Sequence, residues 1–143
     1  MKILDEITAF GHENLQCTHS TTIEITKDTS LSKRGNCILG VNASKACFDL
    51  NAELKDLIQK GKRLKITIKV ENLMESFYGY GNIKLTLLNK KDMVFRKSNF
   101  ICERTVLINC TKSSNDLNRQ IINLITNPEL EMKINFELDD SND

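Results

Sequence analysis

The 143-residue sequence predicts an α+β fold that is duplicated internally, with a β-β-β-α-β unit occurring twice. Apolar and polar residues alternate in several short segments, as in strands with one buried face, and two other segments carry apolar residues at helical spacing. These segments recur in the same order in both halves of the chain. We therefore expect about eight strands and two helices about a pseudo-twofold axis.

The first unit is predicted to cover residues 3–70. A first strand is predicted from about Ile3 to Phe10. A second strand begins at Thr21, with Ile23 and Ile25 facing inward and the residues between them facing water. Residues 36–41 read as a strand buried on both faces. A helix with Ser44 or Asp49 as N-cap precedes the last strand. The helix stripe is Ala46, Leu50, Leu54, Leu57 and Ile58, and the last strand buries Leu64, Ile66, Ile68 and Val70.

The second unit, residues 73–138, follows from an alignment of the chain with itself. Residues 42–51 match residues 109–118. The apolar stripe of the helix recurs as Leu117, Ile121, Leu124 and Ile125. The last strand recurs as Met132, Ile134, Phe136 and Leu138. Upstream, residues 10–14 are aligned with 78–82, and the strand at 23–26 with 83–86. This alignment assigns the first half an insertion of about eight residues before Ile23.

Composition limits the classes of protein to consider. Lys and Arg number 20 against 19 Asp and Glu, so the net charge of +1 gives no bulk attraction to nucleic acid or membranes. With no apolar signal core and no membrane-length apolar run, we expect a cytoplasmic chain. We expect one domain, residues 1–139, followed by a frayed acidic tail, residues 140–143. The five cysteines contain no Cys-x-x-Cys pair, which favours reduced thiols.

Residues 11–27 hold both histidines of the chain and several side-chain hydroxyls. Strand parity places His19 and Thr21 on the inward face, where they form either a structural hydrogen-bond network or part of a site. Metal binding by His12, Cys17 and His19 is a weaker alternative because their spacing is not a recognised one. Either histidine is also a candidate general base. No metal site is predicted, and the sequence identifies no cofactor.

Local basic residues indicate an anion site. Lys45 and Lys112 each lie where a strand leads into a helix, whose free N–H groups attract phosphate, although capping residues beside a solvated lysine explain the same pattern. The phosphate-loop glycine pattern is absent, which argues against a conventional nucleoside triphosphatase. Further positive charge comes from Lys90, Lys91, Arg96, Lys97 and Arg104, with Phe77, Tyr78 and Tyr80 as candidate stacking rings.

Several runs of residues resemble an archaeal family of conserved proteins known only as a domain of unknown function, family number 371. They are Gly11-His12-x-Asn14, Thr18-His19-x-Thr21-Thr22-x-Glu24-x-Thr26-Lys27, Arg34-Gly35-x-Cys37-Ile38, Leu85-Thr86 and Met93-Val94-x-Arg96-Lys97-Ser98-x-Phe100-x-Cys102-x-Arg104-Thr105. The similarity extends over nearly the full length. It implies no activity, and Asn36 stands where the family pattern has an Asp after Arg-Gly.

The leading hypothesis is a binding module for a phosphate-bearing ligand, such as a nucleotide, a phosphorylated small molecule or RNA. The expected site lies at the seam between the halves, with Lys45 and Lys112 as further phosphate positions. Its predicted residues are His12, His19, Thr21, Lys27, Arg34, Arg96, Lys97 and Arg104. The first alternative is a small hydrolase or transferase that uses His12 and His19, and the second is a structural or protein-interaction module. Whether the chain is an enzyme stays open, as does its oligomeric state.

Overall fold

The computed structural model describes residues 2–31 and 35–139, which form eight strands, two α-helices and two short 3-10 helices. In the first half these are β1 (Ile3–Phe10), β2 (Thr22–Thr26), β3 (Ile38–Gly40), a 3-10 helix (Cys47–Asp49), α1 (Ala52–Gln59) and β4 (Arg63–Val70). In the second half they are β5 (Leu73–Tyr80), β6 (Asp92–Arg96), β7 (Thr105–Leu107), a 3-10 helix (Ser114–Asp116), α2 (Arg119–Leu124) and β8 (Glu131–Leu138).

The strands form two four-stranded sheets. The first has the order β1-β8-β4-β5 and is antiparallel throughout. The second has the order β3-β2-β6-β7, with β2 and β6 antiparallel at its centre and a parallel strand outside each. Single bridges, Phe10 to Val41 and Tyr80 to Ile108, join the sheets at both edges. The strands therefore follow one another around a closed ring, which leaves few free backbone edges.

The core lies inside this ring. Phe95 is central to it, because its ring centre lies 5.4 Å from that of Phe77 and 5.9 Å from that of Phe136. The helices cover the core with the predicted stripes, since Leu54, Ile58, Ile121 and Ile125 are all buried. Helix stability in a protein of this size comes mainly from such packing.

The structure confirms the predicted α+β class with eight strands and two helices. The order of elements is the same in both halves, and the β1–β2 loop, residues 11–21, has the same length as the β5–β6 loop, residues 81–91. Both loops carry a left-handed residue at the same place, Cys17 with φ 50° and Leu87 with φ 54°. These matches support the duplication, which itself stays a prediction.

Part of the self-alignment is wrong. Residues 83–86 belong to a loop. The strand of the second half that corresponds to β2 is β6, which lies ten residues later in the chain than predicted. Leu85 and Leu87 alternate with exposed residues because this loop packs them into the core, which imitates the pattern of a strand. Residues 10–14 likewise correspond to 80–84 rather than to 78–82, because β1 ends at Phe10 and β5 at Tyr80. The predicted insertion before Ile23 is therefore absent. The first half is longer instead in the β2–β3 loop, with 11 residues at 27–37 against 8 at 97–104.

Two local predictions also need correction. Strand β2 is buried on both faces, including Thr22, Glu24 and Thr26, because the segments around β7 and the second 3-10 helix cover its outer side. Helix α1 begins later than predicted, with Asn51 as its N-cap. Ser44 instead accepts the N–H of Thr8, and Asp49 accepts the N–H of Ala46 to close the 3-10 turn.

No helix in residues 2–31 and 35–139 is long and apolar enough to cross a membrane. The predicted site residue Arg34 and the predicted frayed tail, residues 140–143, lie outside the described residues.

The two helix stripes can be tested at corresponding positions. Leu54→Ala and Ile121→Ala should each lower the free energy of unfolding by about 2 to 5 kcal/mol, because each leaves a cavity in a closed core. Gln120→Ala, at an exposed position of α2, should change it by less than about 0.5 kcal/mol. Urea denaturation measures all three. A loss below about 1 kcal/mol at Leu54 or Ile121 would contradict the burial of that stripe.

Candidate functional site

His19 closes the turn that leads into β2. Its Nδ1 accepts the backbone N–H groups of Thr21, at 3.1 Å, and of Thr22, at 3.2 Å. In the second half Asn89 holds the same position before β6, and its Oδ1 accepts the N–H groups of Lys91 and Asp92 at 3.0 and 2.7 Å. The imidazole thus makes the turn contacts that an amide oxygen makes in the other half.

His12 repeats this relationship at the start of the loop. Its Nδ1 accepts the N–H of Asn14 at 3.0 Å, while the Oδ1 of Asn82 accepts the N–H of Lys84 at 2.9 Å. Because Nδ1 accepts a hydrogen bond in both rings, the N–H of each imidazole is on Nε2. Within the described residues, neither Nε2 has a hydrogen-bond partner. Both rings therefore offer a donor that the turn does not need.

Strands β2 and β6 bring residues of both halves together beside His19. Thr22 lies opposite Arg96 in the ladder, and the N–H of Lys97 donates to the carbonyl of Thr21 at 2.8 Å. We call His19, Thr21, Arg96 and Lys97 the seam cluster. Thr21 is exposed and His19 only half-buried, so the predicted inward parity is wrong here, because β2 begins at Thr22 and alternation does not extend before it.

Arg96 is the cation of the seam cluster that no carboxylate in the described structure neutralises. Its Nε donates to Thr105 Oγ1 at 2.8 Å and its Nη2 to Cys102 Sγ at 3.2 Å. The guanidinium also lies 4.9 Å from the centre of the Phe100 ring, which is 59% exposed. Lys97, by contrast, pairs with Asp116 at 3.1 Å.

Cys102 is ionised far more easily than the buried thiols. Partial burial opposes its ionisation, but the N–H of Arg104, the Thr105 hydroxyl and the Arg96 guanidinium together lower the pKa of Cys102 to about 7. Burial raises the pKa of Cys17, Cys47 and Cys110 to about 12. Cys17 instead donates its S–H to the carbonyl of Ile38 at 3.2 Å. The difference makes Cys102 the reactive thiol of these four.

Arg104 neutralises two buried carboxylates across the seam. Its Nη1 lies 2.9 Å from Glu24 Oε1 and 3.4 Å from Asp92 Oδ2. Burial raises the pKa of Glu24, and the charge of Asp92 raises it further, against the opposing effect of Arg104. Asp92 Oδ1 is buried without a hydrogen-bond partner among the described residues. Sequence reasoning missed Asp92, whose neighbours along the chain give no sign of this contact.

The other predicted lysines also bind carboxylates of the chain. Lys45 contacts Asp5 at 2.8 Å, and the second oxygen of Asp5 accepts the N–H of Asn51 at the start of α1. Glu75 occupies the same place at α2, 2.9 Å from Lys112, while accepting the N–H of Asn118. Lys27 pairs with Asp49 at 2.6 Å. The chain thus fills the predicted phosphate positions at both helix starts with its own carboxylates.

His12 lies elsewhere, at a cleft of about 460 Å³. The cleft is lined by Phe10, Gly11, His12, Thr29, Val41, Asn42, Pro128 and Glu129, a set that does not include His19. The two histidines therefore do not converge on one site. In the described part of the chain neither ring contacts a carboxylate, and no three His, Cys, Asp or Glu side chains are grouped to hold a metal ion.

Comparison with known proteins gives a family without an assigned activity. Residues 7–139 match the model of a family described as "Domain of unknown function (DUF371)". An uncharacterized protein of Methanocaldococcus jannaschii, MJ0206, is 43% identical over 116 residues, which cover 81% of this chain and 86% of the relative. The suspected resemblance is confirmed.

The turn at His19 predicts different outcomes for two substitutions. His19→Asn should leave the free energy of unfolding nearly unchanged, because Asn89 makes the same contacts in the other half. His19→Ala should lower it by about 1 to 2 kcal/mol through the loss of two backbone acceptor contacts. Urea denaturation of both variants provides the measurement. Equal losses would show that the ring is needed for its packing rather than as an acceptor.

The thiol at Cys102 predicts a pH-dependent reaction. Iodoacetamide should alkylate Cys102 with a rate that rises as the thiolate forms and reaches half its maximum near the pKa of about 7. In Arg96→Gln that midpoint should move to higher pH, because the guanidinium no longer stabilises the anion. Mass spectrometry of tryptic peptides measures each rate separately. Modification of Cys17, Cys47 or Cys110 at a comparable rate in the folded protein would contradict the assignment.

Proposed function

We propose that this chain, which belongs to the DUF371 family, binds a phosphate-bearing ligand at the seam cluster. The observation that carries the proposal is Arg96, whose guanidinium has no carboxylate partner in the described structure and whose ladder partner, Thr22, is bonded to the His19 ring. The ligand class comprises nucleotides, phosphorylated small molecules and RNA. No catalytic step is part of the proposal.

The charge distribution supports Arg96 over the other predicted cations. Arg104, Lys27, Lys45 and Lys112 are each held by at least one carboxylate at 3.4 Å or less. A ligand phosphate would have to displace these internal partners and leave buried carboxylates such as Asp5 unpaired, which is costly. At Arg96 no carboxylate of the described structure would be displaced. Its planar fork also matches two oxygens of a phosphate group.

The other members of the seam cluster are hydrogen-bond donors. His19 has the free Nε2–H described above, and Thr21 adds an exposed hydroxyl on the same turn. Lys97 is 41% exposed in its side chain and bound to a surface aspartate, so its charge is accessible at little cost. A fully ionised phosphate monoester presents only acceptor oxygens. The seam cluster therefore has the complementary chemistry, and the turn in the other half, where Asn89 replaces His19, lacks the imidazole donor.

Phe100 indicates which chemical group of the ligand is attached to the phosphate. An exposed aromatic ring beside an arginine is a common platform for a nucleobase, which stacks on aromatic and guanidinium planes. Of the rings considered from sequence, Phe77 is in the core, Tyr78 stacks against Arg63, and Tyr80 is partly exposed near the same arginine. Phe100 is thus the ring adjacent to the seam cluster, and we favour a nucleotide over a simple sugar phosphate.

The alternatives have less support. A hydrolase or transferase using His12 and His19 would need the rings to converge or to be oriented by a carboxylate, and the described residues provide neither. An interaction module is compatible with exposed apolar side chains such as Ile83, Leu88 and Met74, yet nothing specifies a partner for them.

Calorimetric titration with inorganic phosphate and with adenosine monophosphate tests the proposal. The wild-type chain should bind both, the nucleotide more tightly. Arg96→Gln should weaken both by about tenfold or more, because a charge-assisted pair is lost.

Lys69→Gln is the matched control, since it removes one positive charge at an exposed position of β4 and should bind like the wild type. Thermal midpoints of both variants show whether they are folded. No binding of either compound by the wild type, or equal binding by Arg96→Gln, would exclude the proposed site.

A further inference from the structure

The cleft at His12 has its own chemistry, independent of the seam cluster. We propose that it binds a small amine that also carries a hydrogen-bond acceptor, with the size and groups of an amino acid. Glu129 pairs with the amine and His12 donates to the acceptor. A volume of about 460 Å³ lies within the usual range for small-molecule sites.

The charge of the described lining is complementary to a cationic group. Among the described residues that line the cleft, Glu129 is the acidic one, and none is a lysine or an arginine. In the described structure Glu129 takes part in no ion pair. A phosphate here would meet the carboxylate of Glu129, whose negative charge opposes an anionic ligand. An ammonium group is complementary instead.

His12 and Asn42 supply the neutral contacts. Since Nδ1 of His12 accepts the N–H of Asn14, its Nε2–H is a donor that can bind an acceptor on the ligand, such as a carboxylate or hydroxyl oxygen. Asn42 lines the cleft with an exposed amide that can donate and accept. A simple amine would satisfy only Glu129, whereas a ligand with both groups satisfies all three side chains.

Backbone contacts hold the walls in place. The N–H of Gly11 donates to the carbonyl of Leu130 at 3.0 Å, and the N–H of His12 to that of Ile125 at 2.9 Å. A Cβ on Gly11 would lie 2.1 Å from the Ile125 oxygen, so only glycine permits this approach. On the other side, the N–H of Asn42 donates to the carbonyl of Asp28 at 2.8 Å. A site fixed before binding loses less entropy when a ligand arrives.

Loop lengths explain why this cleft belongs to one half. Thr29 comes from the β2–β3 loop, which has three residues more than its counterpart, as given above. Pro128 and Glu129 come from the connection between α2 and β8, with 6 residues at 125–130 against 3 at 60–62 between α1 and β4. In the second half Asn82 occupies the position that corresponds to His12, and it has no imidazole. Both longer loops and the histidine thus meet at one place.

The test uses β-alanine, which carries both groups, with propylamine and propionate as probes that each lack one. Spectra of the full ¹⁵N-labelled chain should show saturable shifts at His12, Asn42 and Glu129 with β-alanine, at about millimolar concentration for so small a ligand. Propylamine and propionate should each bind about tenfold more weakly or worse.

Variants separate binding from folding. Glu129→Gln should weaken the binding of β-alanine by about tenfold. Glu103 is an exposed carboxylate in the β6–β7 loop, and Glu103→Gln should leave that binding unchanged. His12→Asn keeps the turn acceptor, as Asn82 does, and should also weaken binding. The absence of saturable shifts with β-alanine, equal binding of the three probes, or unchanged binding by Glu129→Gln would each overturn the proposal. Phosphate binding at Arg96 is a separate measurement, so either site can fail alone.

Discussion

The antiparallel ladder between β2 and β6 is the contact on which the rest of the second sheet depends. It joins the two halves by five residue pairs, and both strands are buried nearly throughout. One face meets the apolar core, but the other carries the buried carboxylates of Glu24 and Asp92, whose charges must be compensated once they are removed from water. The loops around β3 and β7 provide this compensation.

Two kinds of contact cover that outer face. Arg104 reaches back over β2 and β6 to its two carboxylates, and Ser114 donates from the second 3-10 helix to the carbonyls of Thr22 and Cys37 at 2.7 and 2.9 Å. Cys47 makes a similar, weaker contact with the carbonyl of Arg104 at 3.5 Å. The 3-10 helices therefore hold the loops that precede β3 and β7 in place through these hydrogen bonds. Arg96 is held by neutral partners at the end of the same face, where the seam opens to solvent.

The two halves provide an internal control for separating fold from function. Asn82 and Asn89 show that an amide oxygen suffices for the turns, so the fold alone gives no reason for histidine at positions 12 and 19. Asp5 and Glu75 illustrate the opposite case, since different carboxylates bind Lys45 and Lys112 in the same way. Where both halves make the same contact, the contact serves the fold. Where only one half carries an extra donor, that donor is available to the ligands proposed above.

This distinction also explains what could be read from the sequence. The helix stripes and the strands β1, β4 and β8 follow from apolar spacing alone, because each has one face against the core. Strand β6 was misplaced because Leu85 and Leu87 alternate in a loop, and short alternation does not distinguish the two cases. In the site, His19 and Arg96 were predicted together. The carboxylate partners of Lys45 and Lys112 were not, since they lie 40 and 37 residues away in sequence.

Arg96 links the reactive thiol to the proposed anion site. The same guanidinium stabilises the thiolate of Cys102, whose pKa is about 7, and would hold a ligand phosphate. Below that pKa the thiol is neutral and the positive charge of Arg96 is free for the ligand, whereas above it the thiolate competes for the same donors. Because coupling between two bound groups is reciprocal, a ligand at Arg96 must in turn raise the pKa of Cys102. Ligand binding and the reactivity of Cys102 therefore both report which group the Arg96 guanidinium is bound to.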